Sequence, residues 1–228
     1  MGRGRGKKIV AALATFLVLV AGGLFAGWYF FIRSEAEPPA EIEETRVREG
    51  GALDGTYTLE AGDPESFVGY RVLEVLAGID NTATGRTSDV EGSFSITDTT
   101  VSEVSVTADL STLKSDRYRR DQRIKTLGLE SEQFPEATFV LTEPIELAAI
   151  PKAGKTVTAN AVGDFTLHGV TRSVEIDLEG RWDGRDIQVV GNLPITFGDY
   201  GMETPSIAGL VTVRDDGAME LQLFFRKS

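Results

Sequence analysis

The chain has 228 residues, with 23 Lys and Arg, 35 Asp and Glu, one His and no Cys. The formal net charge of −12 argues against a nucleic acid partner, because a phosphate backbone requires a basic surface. Without Cys there are no disulfides, thiolate metal ligands or Cys nucleophiles, and a single His disfavours zinc, haem and Ser-His-Asp chemistry. We therefore expect a protein that is not an enzyme and needs no metal or other cofactor.

The N-terminal segment is long, apolar and uncharged. Ile9–Ile32 contains no charged residue and exceeds the roughly 20 apolar residues that cross a bilayer as a helix. Basic residues precede it and acidic residues follow it, so the positive-inside tendency places the N-terminus in the cytoplasm. Residues 1–32 are therefore predicted to be a basic stub and a transmembrane helix in the cytoplasmic membrane, with the rest of the chain outside.

A cleaved signal peptide is the alternative interpretation of the same segment. Ala21-Gly22-Gly23 is a passable small-residue cleavage site. Cleavage there would leave an apolar stretch at the new N-terminus, so we favour the retained anchor. Both interpretations place the domain outside the cytoplasm, and a cleaved form would be secreted or periplasmic.

Residues 33–52 are predicted to be a linker. They include Pro38-Pro39, are rich in Glu and show almost no apolar periodicity. Such a stretch buries too little apolar surface to offset the entropy lost on ordering. We expect a flexible coil that tethers the domain formed by residues 53–228.

The domain is predicted to be all-β. Ser173–Glu179 alternates apolar and charged residues, the period of a strand with one buried face. The same alternation occurs around Tyr70, through Val104–Leu110 and through Met219–Phe225. Further predicted strands are Gly55–Glu60, Thr84–Ile96, Ala137–Leu147, Lys155–Leu167, Asp186–Phe197 and Ile207–Arg214.

Turn residues separate these strands. Asp183-Gly184 and Asp216-Gly217 predict tight hairpins, because Asp-Gly tolerates the positive φ of a type I′ turn, and Gly169 marks a similar break. Ser115–Leu127 has no Gly or Pro and carries acid-before-base pairs four residues apart, which favours a helix. Antiparallel strands with short turns and one inserted helix indicate a barrel or a sandwich.

Several segments together resemble the YceI-like family of lipocalin-like proteins, which is linked to polyisoprenoid binding. They are Gly55–Leu59 with Ser66–Val72, Arg120-Asp121 followed by Phe134–Phe139, and Phe165–Arg172. The resemblance covers nearly all of Leu53–Phe225 in the right order. It implies a lipocalin-like eight-stranded antiparallel β-barrel with one inserted helix, and a long apolar pocket for an isoprenoid chain. It also implies a periplasmic or secreted location.

The resemblance turns the inward-facing apolar residues into candidates for the pocket wall, although plain core packing explains alternation equally well. These candidates are Tyr70, Val72, Phe94, Val104, Val106, Phe139, Phe165, Leu167, Ile176, Phe197 and Phe225. Candidates for a head-group site or pocket mouth are Glu74, Arg120, Asp121 and His168. Family members often carry His where this chain has Glu74 and Gln122, so the head group here is expected to differ.

Two functions remain open from the sequence. The first is a membrane-tethered, non-enzymatic carrier that holds an isoprenoid-type lipid, either a polyisoprenoid, an isoprenoid quinone or another long-chain lipid. The second is an extracytoplasmic surface interaction or stress-response module with a solid barrel core. A hollow or a packed interior distinguishes them. No serine hydrolase, zinc protease or phosphate-loop motif is present to support an enzyme.

Overall fold

The computed structural model describes residues 15–28, 36–44, 46–49, 51–76, 78–204, 206–207 and 211–228. The chain divides into two compact units, Met1–Glu35 and Ala36–Ser228.

The first unit contains a helix over residues 15–28, whose side chains are exposed. Of the predicted anchor Ile9–Ile32, residues 9–14 and 29–32 lie outside the described residues. In the described part of the chain, no helix combines the length and the apolar character required to cross a membrane.

The second unit is built on one sheet of thirteen strands, all paired antiparallel. The strands are β1 Gly55–Leu59, β2 Phe67–Leu76, β3 Ile79–Thr87, β4 Val90–Thr97, β5 Thr100–Asp109, β6 Lys114–Ser115, β7 Glu136–Leu141, β8 Ile145–Glu146, β9 Thr156–Leu167, β10 Val170–Trp182, β11 Ile187–Thr196, β12 Ser206–Ile207 and β13 Val211–Lys227. Short 3₁₀ turns occupy Leu110–Thr112 and Phe197–Tyr200, and an α-helix occupies Tyr118–Thr126.

Eight of these strands close into a barrel. Their order is β1-β4-β5-β7-β9-β10-β11-β13, and the ring closes where Tyr57 and Thr58 of β1 pair with Lys227 and Arg226 of β13. Strand β2 pairs with the N-terminal part of β13, and β3 and β6 follow β2 in the sheet. The prediction of an all-β, eight-stranded antiparallel barrel with an inserted helix is therefore confirmed for this unit.

Two predicted strands are each broken in two. The run Thr84–Ile96 divides into β3 and β4 because the Ser88 carbonyl leaves the ladder and accepts from the N–H groups of Gly62 and Val90. The run Ala137–Leu147 divides into β7 and β8 around Pro144, which has no N–H to donate to a neighbouring strand.

The hairpin predicted at Asp216-Gly217 is wrong. These residues lie inside β13, where the register with β2 shifts between Val213 and Gly217, as at a β-bulge. A Cβ on Gly217 would lie 2.6 Å from Cγ1 of Val72, so close packing of strands explains this glycine. The turn at His168-Gly169 is confirmed, because it joins β9 to β10 with positive φ at both residues. The hairpin at Asp183-Gly184 is confirmed in position, but it is a four-residue connection from β10 to β11 with positive φ at Gly184 and not at Asp183, and so not a type I′ turn.

The inward-facing residues form two clusters. One fills the half of the barrel that carries the inserted helix, and its buried members are Tyr70, Ala83, Leu110, Leu113, Ala137, Phe165, Leu167, Ile176, Leu193, Ile195, Tyr200, Met202 and Met219. The other lies towards the β4–β5 and β10–β11 turns, and its buried members are Leu53, Tyr57, Leu59, Val90, Phe94, Ile96, Ala108, Ile187, Leu223 and Phe225.

Residues 36–44 and 46–49, which we call the strap, lie along the outside of the barrel. The Glu37 N–H donates to Oγ1 of Thr84 at 2.9 Å, and the Glu43 N–H donates to Oε1 of Gln188 at 2.8 Å. Nε2 of Gln188 in turn donates to the carbonyl of Glu41 at 3.0 Å. This part of the predicted flexible linker therefore belongs to the same compact unit as the barrel.

The strap also covers a buried ionic cluster on the outer face. Glu220, whose side chain is 2% exposed, pairs with Arg71 at 3.2 Å and with Arg86 at 2.9 Å. The same two guanidinium groups donate to the strap carbonyls of Glu37 and Pro38. The acidic composition of the strap does not prevent docking, because its backbone groups make these contacts while most of its side chains stay exposed.

The docked strap makes a testable prediction. Replacing Gln188 with Ala removes the acceptor of the Glu43 N–H and the donor to Glu41. We expect hydrogen exchange at the Glu43 amide to accelerate by roughly tenfold or more, since each hydrogen bond contributes about 1 kcal/mol.

Gln222→Ala is the matched control, because Gln222 lies on β13 and donates to Glu65 outside the strap. It should leave strap exchange unchanged. Exchange of the wild-type Glu37 and Glu43 amides at the rate of an unstructured chain would contradict the docked strap.

Candidate functional site

An apolar cavity occupies one half of the barrel. Its volume is about 170 Å³ and it is partly open to solvent. Phe165, Ile176 and Met219 line it near the middle of the barrel, and Pro151 and Trp182 line it towards the end that carries the β10–β11 turn. The cavity therefore borders the packed half of the barrel, since Phe165, Ile176 and Met219 also belong to the cluster that fills it.

Small residues at inward-facing positions create this cavity. Ala159 and Ala161 of β9 and Gly180 of β10 all line it, where larger side chains would fill the space. Phe139 occupies part of the remaining room, since a Cβ on Gly163 would lie 2.5 Å from its ring. Small residues on these two neighbouring strands therefore contribute to the vacancy.

Leu53 is held over the same cavity by a buried hydrogen bond. Oη of Tyr57 donates to the Leu53 carbonyl at 2.7 Å. Burial, together with the nearby carboxylates of Asp186 and Asp54, raises the pKa of Tyr57 to about 12. The phenol therefore keeps its proton, and the hydrogen bond, across the physiological range.

The structure divides the predicted wall residues between the two halves. Those that line the cavity are Phe94, Val104, Val106, Phe139, Phe165, Ile176 and Phe225. Those that pack in the filled half instead are Tyr70, Val72, Leu167 and Phe197. Alternation predicts which residues face inward but not which part of the interior is vacant, because vacancy depends on side chains from several strands.

Other wall residues escaped the sequence analysis. They include Leu53, Ala161, Trp182, Ile187 and Leu223. The informative signal was the run of small residues Ala159, Ala161 and Gly163 at alternate positions of one predicted strand. Such a run leaves room where neighbouring strands carry Phe and Leu.

None of the four predicted mouth residues lines the cavity. Glu74, Arg120, Asp121 and His168 lie at the opposite end of the barrel, beyond the packed half. They form two separate polar clusters, so the structure brings Glu74, Arg120 and Asp121 together and leaves His168 apart.

Arg120 neutralises Glu74 in the first cluster. Nη2 of Arg120 donates to Oε1 of Glu74 at 2.9 Å, and the two side chains are 13% and 7% exposed. Nδ2 of Asn81 donates to the same oxygen at 2.7 Å. Burial lowers the pKa of Arg120, but the carboxylates of Glu74 and Asp116 outweigh it and leave that pKa raised. This pair is fully engaged within the protein.

Asp121 anchors the start of the inserted helix. Its Oδ1 accepts from the backbone N–H of Ser115 at 2.9 Å and from the Ser115 hydroxyl at 2.6 Å. The Arg120-Asp121 motif therefore positions the helix against the barrel end, a structural task that needs no ligand.

His168 joins three segments at the same end. As the first residue of the β9–β10 turn it has φ +52°, and its Nδ1 donates to the Tyr200 carbonyl at 3.0 Å. Its Nε2 lies 2.7 Å from a carboxylate oxygen of Glu130. Among the residues that the structure describes, no group of three or more His, Asp or Glu is arranged to hold a metal ion.

The Glu74–Arg120 pair makes a testable prediction. Arg120→Met leaves a largely buried carboxylate without its cation, and we expect the free energy of unfolding to fall by about 2–3 kcal/mol, less than for a fully buried pair. The double variant Glu74→Leu/Arg120→Met should recover part of that loss, because no unpaired charge remains.

Uptake of an apolar probe by the cavity is the second readout of these variants. Both should take up the probe as the wild type does, since neither residue lines the cavity. A loss of probe uptake in the double variant, with the fold intact by circular dichroism, would contradict this assignment.

Comparison with known proteins places this geometry in a family. The YceI-like domain profile matches residues 57–225. A UPF0312 protein from Photorhabdus laumondii is 28% identical over 138 residues, which cover 59% of this chain and 66% of that protein. A UPF0312 protein from Vibrio parahaemolyticus is 29% identical over 159 residues, which cover 66% of this chain and 79% of that protein.

Solved structures share the fold. A polyisoprenoid binding domain from Saccharophagus degradans, implicated in plant cell wall breakdown, superposes with a TM-score of 0.56 at 19% identity, covering 75% of this chain and 98% of that one. BcnA from Burkholderia cenocepacia superposes with a TM-score of 0.53 at 18% identity, covering 70% of this chain and 95% of that one. The profile match across most of the barrel, with the shared fold, means that this chain belongs to the YceI-like family.

Proposed function

We propose that this chain is a non-enzymatic carrier that holds the apolar chain of an isoprenoid-type lipid inside its barrel. The apolar cavity carries the proposal, because it offers a lipid chain a wall of aliphatic and aromatic side chains. The likeness in fold to a polyisoprenoid binding domain supports the same class of ligand. The alternative, an interaction module with a solid core, requires a packed interior, and the cavity argues against it.

The size of the cavity limits how much of a ligand it holds. Its volume of about 170 Å³ is similar to the roughly 150 Å³ of an engineered apolar cavity that takes up benzene. The pocket therefore accepts one end of a lipid, and the rest of a long chain extends through the open side. Each buried CH₂ contributes about 0.8 kcal/mol, so affinity should level off once the pocket is full.

The proposed location is the outer face of the cytoplasmic membrane. The uncharged segment Ile9–Ile32 and the basic residues before it support a retained anchor with the barrel outside. A cleaved N-terminus would give a secreted or periplasmic form of the same carrier. N-terminal sequencing of the mature protein distinguishes the two.

The proposal is tested by native mass spectrometry and organic extraction of the full chain, purified in mild detergent from cells with native membranes. We expect one bound lipid per chain that extracts as an isoprenoid. A ligand-free mass that persists after incubation with isoprenoid quinones and polyprenols would overturn the proposal.

A cavity-filling variant tests where the lipid lies. Ala161→Leu places an isobutyl group in the cavity, and we expect lipid occupancy to fall by at least roughly tenfold while thermal stability is unchanged or higher, as for other cavity-filling changes. Thr158→Leu, on the outer face of the same strand, is the matched control and should keep its lipid. Equal occupancy in both variants would show that the lipid binds elsewhere.

A further inference from the structure

The tip of the β2–β3 hairpin is an apolar projection at the helical end of the barrel. Val75–Ile79, where the two strands meet, contains no polar side chain, although Asn, Asp and Ser are common in tight turns. Leu73, Val75 and Ile79 are 47%, 36% and 43% exposed. A contiguous group of exposed apolar residues indicates a surface that meets an apolar partner.

Basic residues lie beside this tip. Nη2 of Arg120 donates to Glu74 at 2.9 Å, which holds the start of the inserted helix next to the hairpin. Arg119 and Arg123 on the same helix are exposed, as is Tyr118. Residues 114–125 hold six basic and two acidic side chains in a chain whose net charge is −12. The helical end therefore combines exposed apolar groups with a local excess of positive charge.

The strap runs along the barrel away from this end. Its contact at Glu37 lies level with Ala218 of β13, and its contact at Glu43 lies level with Phe224. The hairpin tip lies at the other end of that strand, where Leu76 pairs with Val211. The chain therefore enters the strap from the side of the hairpin tip.

Little chain separates the strap from the proposed membrane anchor. The uncharged segment ends at Ile32, and the strap begins at Ala36. The four peptide steps between these residues span at most about 14 Å. With the segment anchored as proposed, a barrel held by the docked strap stays next to the bilayer.

We infer that the barrel docks with its helical end on an anionic membrane surface. The apolar hairpin tip around Val75 and Ile79 enters the head-group region, and Arg119 and Arg123 lie against the lipid phosphates. This inference rests on the location given under the proposed function. Docking in this way turns the end of the cavity that is lined by Pro151 away from the bilayer.

Single cysteine labels test this orientation, since the chain has no Cys of its own. Ile79→Cys carries a fluorescent label at the hairpin tip. Ile150→Cys is the matched control, because Ile150 is also an exposed isoleucine but precedes Pro151 at the cavity end. The full chain is reconstituted in vesicles of phosphatidylcholine and phosphatidylglycerol that contain a nitroxide-bearing lipid. We expect the nitroxide to quench the label at residue 79 and not the label at residue 150.

Charge reversal on the helix gives the second readout. A basic residue near an anionic surface contributes roughly fivefold to binding. Arg119→Glu/Arg123→Glu in the Ile79→Cys chain should therefore lower the ratio of docked to undocked barrels by about 25-fold or more. Lys152→Glu/Lys155→Glu makes the same change of charge at two exposed lysines of the cavity end, and it should leave quenching unchanged.

The other outcomes separate docking from the proposed function. An unquenched label at residue 79 on a vesicle-bound chain would overturn docking and leave the anchor and the lipid carrier standing. A label that is shielded from an aqueous quencher, yet not quenched by the nitroxide lipid, would overturn docking in favour of a second copy of the chain at this surface. A chain that does not associate with the vesicles would overturn the proposed location together with the docking.

Discussion

The pairing of strand β13 is the constraint on which the rest of the molecule depends. This 17-residue strand pairs with β11 along one side and with β2 and then β1 along the other. Its pairing with β1 closes the ring, and its pairing with β2 adds the strands that cover the helical end. The bulge before Gly217 lets β13 pair with both the barrel strands and β2, because a bulge bends and twists the strand that carries it.

The same strand links the interior of the barrel to its surface. Met219, Leu223 and Phe225 face the core, while Glu220 lies on the outer face under the strap. The strap contacts and part of the cavity wall therefore lie on one strand. Docking of an acidic segment on a strongly acidic domain is possible because Arg71 and Arg86 offer donors to both Glu220 and the strap carbonyls.

The interior is divided between a part that stabilises the fold and a part that can accept a guest. Large side chains such as Leu110, Tyr200 and Met202 fill the helical half, whereas Ala159, Ala161 and Gly180 leave room in the other. Polar clusters at the helical end are internally paired. The part of the interior that leaves room for a guest is accordingly the apolar half.

The sequence by itself determined the all-β class, the position of the inserted helix and two of the three turns. These features depend on alternation, turn residues and i,i+4 pairs, which are local. The ordered motifs from Gly55 to Arg172 also predicted the eight-stranded barrel. They did so because a family resemblance implies the order and pairing of the strands, which local sequence patterns do not. Seven of the eleven predicted wall residues line the cavity, since a cavity wall is a subset of the inward-facing positions.

Only the tertiary structure decided which half of the barrel is vacant and what Glu74, Arg120 and His168 do. Vacancy depends on how side chains from five or more strands share one space, and no single strand encodes that sum. Asp216-Gly217 has the chemistry of a turn, yet the packing of Val72 against Gly217 keeps it inside a strand. The docking of the strap was likewise not predictable from the sequence. Its backbone groups form hydrogen bonds with Thr84 and Gln188, which lie far along the chain. The acidic composition of the strap describes only its side chains, most of which stay exposed.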